Sequence, residues 1–200
     1  MPSPAWTVLD GWSEVLAPRL GLSWRVLRAY GWTEEVLRQR DPSCGLTWPT
    51  LAGIGWVESG NGAGESRGAG GPSSVVGGDD VVRPTILGPV LDGAAGRPAV
   101  RSTDRGRLDG DTRWDRAVGP LQFLPSTWAV YGVGLSGRGP GDPSNIDDAA
   151  MAAGRFLCAA GALGTGSGWE AAVVAYNHST VYAAEVAAAA RWYAERSLDG

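Results

Sequence analysis

The sequence predicts a mainly α-helical protein, a single domain over residues 1–200 with long irregular loops and at most a small β-hairpin. Three observations predict it. Apolar residues recur at steps of three and four towards both ends of the chain, the spacing that lines one face of a helix. No strand pattern runs for more than a few residues. Between the helical ends lies a long segment dense in glycine, proline and aspartate, a composition that interrupts regular structure.

The elements follow in order. Residues 7–19 and 23–39 read as two helices, with Val26, Leu27 and Tyr30 and then Val36 and Leu37 at helical spacing; Asp41-Pro42-Ser43 ends them. A third helix is expected over 47–58. Thr47 stands as its N-cap and Pro49 falls in the first turn, where a missing backbone donor does no harm. Leu51 and Ile54 then share a face with Val57 or Glu58. The glycine-rich run 60–78 forms no regular element, and 79–118 stays irregular through Pro84, Pro89, Pro98 and the Asp/Gly-rich run 104–111. A loop region this long inside one domain is usually functional. Within it, Ser74–Val76 or Val81–Arg83 suits a small hairpin. A short helix is expected from Pro125 to about Tyr131. Asn145 caps the next, with Asp147 and Asp148 placed where they suit the helix dipole, and Gly161 ends it. Residues 168–176 and 179–196 complete the set.

Composition excludes several functions. A chain of 200 residues with 44% hydrophobic residues and 10 tryptophans can build a core without a metal or a disulfide. All 17 basic residues are arginine. The absence of lysine removes a P-loop lysine, a Schiff-base lysine and a kinase-type lysine. A net charge of −4 and a pI near 5.0 argue against a general nucleic-acid binder. No run approaches the roughly 18 apolar residues of a transmembrane helix. Met1–Trp6 lacks the basic and apolar regions of a signal peptide, which leaves a cytoplasmic protein or a chain that begins after its targeting segment. Cys44 and Cys158 stand without a CxxC motif and His178 is the single histidine, so no metal and no cofactor are expected. From the residues alone the two cysteines are buried thiols or a bridge.

Generic patterns carry little. Gly132–Gly137 matches GxGxxG but has no strand before it and no helix after it. Asn177-His178-Ser179 is a sequon of a kind frequent by chance, and His178 has no GxSxG partner motif. Asp109-Gly110-Asp111 lacks EF-hand spacing. Glu58 is different. It closes the apolar segment Leu51–Val57 and directly precedes the glycine-rich loop. A carboxyl emerging from a buried helix is partly desolvated, so it holds its proton to higher pH, as a general acid on a glycosidic oxygen must.

Three blocks occur in order around that residue: Gly55-Trp56-Val57-Glu58-Ser59, then Gly119-Pro120-Leu121-Gln122-Phe123-Leu124-Pro125-Ser126-Thr127-Trp128, then Ala175-Tyr176-Asn177-His178-Ser179-Thr180-Val181-Tyr182. Together they resemble lytic murein transglycosylases of the MltB-like type, in the version found in high-GC Gram-positive bacteria, over roughly residues 25–196. The resemblance implies a lysozyme-like transglycosylase fold whose cleft takes peptidoglycan glycan strands. It implies Glu58 as the catalytic acid, with Ser59, Gln122, Tyr176, Asn177 and Tyr182 on the substrate side. The implied reaction cleaves the β-1,4 bond between N-acetylmuramic acid and N-acetylglucosamine and leaves a 1,6-anhydro ring, with Glu58 as sole general acid and base. Further implied are a monomer, an extracellular or cell-envelope location and, with export, a Cys44–Cys158 disulfide. The relatives' acidic, calcium-like loop is reduced to one acid over 134–142, so no calcium is expected.

The residues add detail to that reading. Gln122 can donate to and accept from sugar hydroxyls or an acetamido group. The Tyr176 hydroxyl is expected on the Glu58 carboxyl, Ser59 is expected to bond locally, and Phe123, Trp56 and Trp128 are expected in packing roles. If Asp104, Asp109, Asp111 or Asp115 folds back into the cleft, the enzyme is a hydrolytic muramidase with a second carboxylate. The remaining alternative is an inactive peptidoglycan-binding module.

Overall fold

The computed structural model describes residues 4–63, 74–135 and 141–198. Residues 64–73 of the glycine-rich run 60–78 and the last two residues of the 132–137 pattern lie outside the described residues. Among the described residues there are seven α-helices: α1 (Pro4–Leu20), α2 (Trp24–Arg40), α3 (Trp48–Ser59), α4 (Pro125–Tyr131), α5 (Ile146–Ala160), α6 (Gly166–Asn177) and α7 (Thr180–Leu198). Two short strands, β1 (Val75–Val76) and β2 (Val82–Arg83), pair antiparallel with Val76 opposite Val82. Both hairpin segments suggested by the sequence are therefore used, against each other. Among the described residues no helix is long and apolar enough to cross a membrane.

The third helix is the centre of the core, and its sequence explains why. Thr50 to Gly55 are buried without a break, so α3 has no solvent face along that stretch. Its glycines let neighbours approach its axis. A Cβ on Gly53 would lie 2.7 Å from the Val186 carbonyl oxygen, so α7 packs backbone against backbone there. On another side α2 contributes Val26, Leu27 and Tyr30, all fully buried. Outside α2 lies α5, where Gly154 receives Thr33 and Leu37. The helix α6 packs against both α5 and α7. One hydrophobic cluster runs through all of these elements.

Local chemistry fixes the ends. The Asn145 side chain accepts from the backbone of Asp147 and Asp148, as its N-cap reading predicts. Cys44 and Cys158 form a disulfide across 114 residues, joining the approach to α3 to the last turn of α5. The hairpin is anchored at its tip, where Asp80 accepts from Arg25 and Arg28 at 2.9 Å each and its carbonyl takes the Ile146 amide.

The segment 84–124 is irregular but not loose. Its aspartates are occupied by its own backbone. Asp104 accepts from Gly106, Arg107 and Leu108, and Asp111 from Arg113 and Trp114. The buried Asp109 accepts from Asp111 and Arg116. Asp115, fully buried, accepts from the Thr103 amide and hydroxyl. Buried carboxylates persist when donors of this kind satisfy them. All four carboxylates are thus engaged within their own segment.

Candidate active site

Glu58 stands in the last turn of α3, where the helix leaves the core. It is partly exposed, while Ser59 beside it is fully buried. The Tyr182 hydroxyl, from the first turn of α7, donates to Glu58 Oε1 at 2.7 Å. Burial raises the Glu58 carboxyl from its ordinary 4.5 to about 7, and the Tyr182 hydrogen bond pulls the other way. Desolvation wins because one hydrogen bond does not replace the water a carboxylate loses. Among the described residues, no second carboxylate contributes to this shift.

The block 119–123 lies alongside α3 and is held at successive residues. Ser59 Oγ donates to the Pro120 carbonyl at 2.6 Å, and the Tyr176 hydroxyl donates to the Leu121 carbonyl at 2.8 Å. Gln122 comes next and carries a positive φ of 49°, a conformation that costs a non-glycine residue energy and that its surroundings must impose. Its backbone amide donates to the Gly119 carbonyl at 3.1 Å, which closes the turn, and its side-chain Nε2 donates to the same carbonyl at 2.8 Å. Gly119 permits that turn: its φ is +82° and any Cβ would collide with the Pro143 carbonyl. The result is a cleft of about 330 Å³ lined by Gln122, Phe123, Thr127, Phe156, Tyr176 and His178, among others.

The sequence-predicted residues separate into groups. Glu58 and Tyr182 touch. Gln122 and Tyr176 line one cleft, and burial, with a smaller contribution from Glu58, pushes the Tyr176 hydroxyl well up. Asn177 is exposed at the end of α6, and His178 caps that helix with a φ of 52°. Three expectations are corrected. The hydroxyl on Glu58 belongs to Tyr182 and not to Tyr176, whose proton goes to Leu121. Ser59 offers no atom to a substrate, because its hydroxyl is buried between Pro120 and the Gly62 amide. Trp56 is not a packing residue. It is 54% exposed and, with Trp192, flanks a separate apolar hollow of about 390 Å³. It points away because two residues along a helix turn about 200° from Glu58. Phe123 and Trp128 are buried, as expected.

Sequence reasoning missed a polar group behind the site. Tyr30, Asn61 and Tyr193 are buried and hydrogen-bonded to one another. The signal was Gly60-Asn61-Gly62, a left-handed turn composition directly after the helix. Comparison of the chain with protein-family models, curated proteins and solved structures returns no match.

Proposed function

We propose that this chain is a peptidoglycan lytic transglycosylase with a lysozyme-like fold, in which Glu58 is the sole general acid and base. The observation that carries the reading is one carboxyl raised to about 7, held by a tyrosine hydroxyl, with no second carboxylate on it among the described residues. Near neutral pH such a carboxyl retains a proton to give. It protonates the oxygen that links N-acetylmuramic acid to N-acetylglucosamine, and the C1–O bond breaks. The resulting carboxylate, stabilised by the Tyr182 hydroxyl, takes the proton of the muramic C6 hydroxyl, whose oxygen bonds to C1. The products are a 1,6-anhydro sugar and a free 4-hydroxyl. Water takes no part, so the second carboxylate that ordinary glycosidases place for hydrolysis is not needed.

Two further features support the reading. The Gln122 cleft is walled by aromatic rings with a polar end, a lining suited to an acetamido sugar. The Cys44–Cys158 disulfide fits a protein that works outside the reducing cytoplasm. Purified murein is incubated with the wild-type protein and with Glu58→Gln, and the released muropeptides are read by mass spectrometry. The expected result is anhydro-muropeptides from the wild type, and loss of lysis with retained murein binding in the variant. Reducing-end products would make the enzyme a muramidase. Undiminished lysis by Glu58→Gln would refute the assignment of the acid.

A further inference from the structure

Three consecutive residues after Ser59 carry positive φ: Gly60 at 63°, Asn61 at 57° and Gly62 at 87°. The turn they make is the C-terminal cap of α3. The Gly60 amide returns to the Trp56 carbonyl and the Asn61 amide to the Gly55 carbonyl at 2.8 Å. Glycine would adopt the same backbone at position 61 with less strain. The asparagine therefore supplies something other than its φ.

What it supplies is its side chain. The Tyr30 hydroxyl, from α2, donates to Asn61 Oδ1 at 2.9 Å. Asn61 Nδ2 donates to the Tyr193 hydroxyl, on α7, at 2.8 Å. All three residues are buried, and Gly55 leaves the room: a Cβ there would strike both the Tyr30 hydroxyl and the Asn61 amide oxygen. The end of α3 is thus tied to α7 at two places. Glu58 meets Tyr182 near the start of that helix, and Asn61 meets Tyr193 about three turns further on. The Asn61 attachment constrains the angle of the last turn of α3 on the α7 side, as the Ser59 bond to the Pro120 carbonyl does on the other.

We propose that Asn61 is a positioning residue of this site, clamping the α3 terminus between Tyr30 and Tyr193 so that the Glu58 carboxyl is held against Tyr182. The proposal rests on the reading of Glu58 as the acid. A clamp of this kind acts on geometry: small displacements of a catalytic group cost rate and leave ground-state binding largely intact.

The test uses Asn61→Gly, which keeps the left-handed backbone and deletes the amide, beside Tyr193→Phe, which keeps the ring and deletes one hydrogen bond. Murein cleavage is measured against pH, and the Glu58 carboxyl is titrated directly by carbon NMR in each protein. For Asn61→Gly, kcat is expected to fall by ~10–100-fold with KM little changed. The Glu58 titration is expected to move down from the wild-type value, because a loosened carboxyl gains water. Tyr193→Phe is expected to move both readouts the same way by less, and it carries the comparison if Asn61→Gly does not fold. Unchanged kcat and an unchanged Glu58 titration in a folded variant that merely melts earlier would overturn the proposal. If the wild type cleaves nothing and the Glu58 titration still moves in the variant, the clamp stands and the assigned reaction falls.

Discussion

Tyr182 determines at the residue scale how the Glu58 carboxyl behaves through a reaction cycle. Its hydroxyl donates to the ionised form and so favours proton release, against the burial that favours retention. Replacing Tyr182 with Phe removes the only one of these two effects that lowers the pKa. The Glu58 pKa then rises above about 7, and the basic limb of the pH–activity profile moves to higher pH. The rate on the plateau falls, because the carboxylate formed on proton transfer loses a charge-assisted bond worth roughly 1.5–3 kcal/mol, or about 10–100-fold in rate. A limb that stays in place or moves to lower pH would contradict this assignment. The sequence made Glu58, Gln122 and the two tyrosines visible as types in motifs, but not which tyrosine hydroxyl reaches the acid. Tyr176 and Tyr182 are separated by a helix end, and the left-handed cap at His178 decides the direction in which α7 departs. Ser59 bonds locally, as expected, but lies away from the substrate side for a related reason. Its neighbour Glu58 is partly exposed, and a step of about 100° along the helix turns Ser59 into the core.

The elements show a different balance between pattern and contact. Helices with strong periodicity or a named cap stood out in the sequence to within a few residues, as α2 after Ser23, α4 from Pro125 and α5 after Asn145 illustrate. The irregular 84–124 segment did not, because its order comes from aspartate side chains accepting from amides two to seven positions ahead, and many such pairings are open to an Asp/Gly-rich run. The disulfide is a contact that the residues left undecided until export was implied. It closes a loop of 114 residues between the α3 approach and α5. In the loop-entropy account such a loop is worth about 4–5 kcal/mol. Cys44→Ser with Cys158→Ser is therefore expected to lower the melting temperature by roughly 10 °C or more in calorimetry. Of the cleft lining only Phe156 shares a helix with the bridge, and Glu58 and Tyr182 lie on α3 and α7, so cleavage at 25 °C is expected to persist. A melting temperature unchanged by the double substitution would show that the bridge adds nothing to the fold.

For the molecule as a whole, the working carboxyl sets the direction of stability with pH. Three carboxyls are raised by burial: Glu58 from 4.5 to about 7, Asp147 from 3.8 to about 6, and Glu34 in the same direction. Asp147 is raised although it pairs with Arg28, because its burial outweighs the pair, with Asp80 and Asp148 adding to the rise. Each group ionises in the unfolded chain before it does so in the folded one. The stability they lend is fully present below their ordinary values and is lost as pH rises through their folded values. Asp79 has the opposite sign, lowered to about 2 by Arg83, but its window lies below pH 4 and the pair is exposed. The net charge reaches −4 at pH 7 from a pI near 5.0, and growing self-repulsion acts in the same direction as the raised carboxyls. The protein is therefore expected to be most stable in mildly acidic solution and to lose stability steadily up to about pH 7. Calorimetry from pH 4.5 to 8 reads this directly. Glu58→Gln removes the largest single contribution, about 3 kcal/mol at most for a shift of this size. Its melting curve should be flatter and should lie above that of the wild type by roughly 5–10 °C at pH 8, while the two converge at pH 4.5. Such a crossing from convergence to separation ties the stability cost to the ionised carboxyl itself. Parallel curves for the two proteins, or a wild-type melting temperature that climbs towards neutral pH, would show that Glu58 does not titrate as a buried acid.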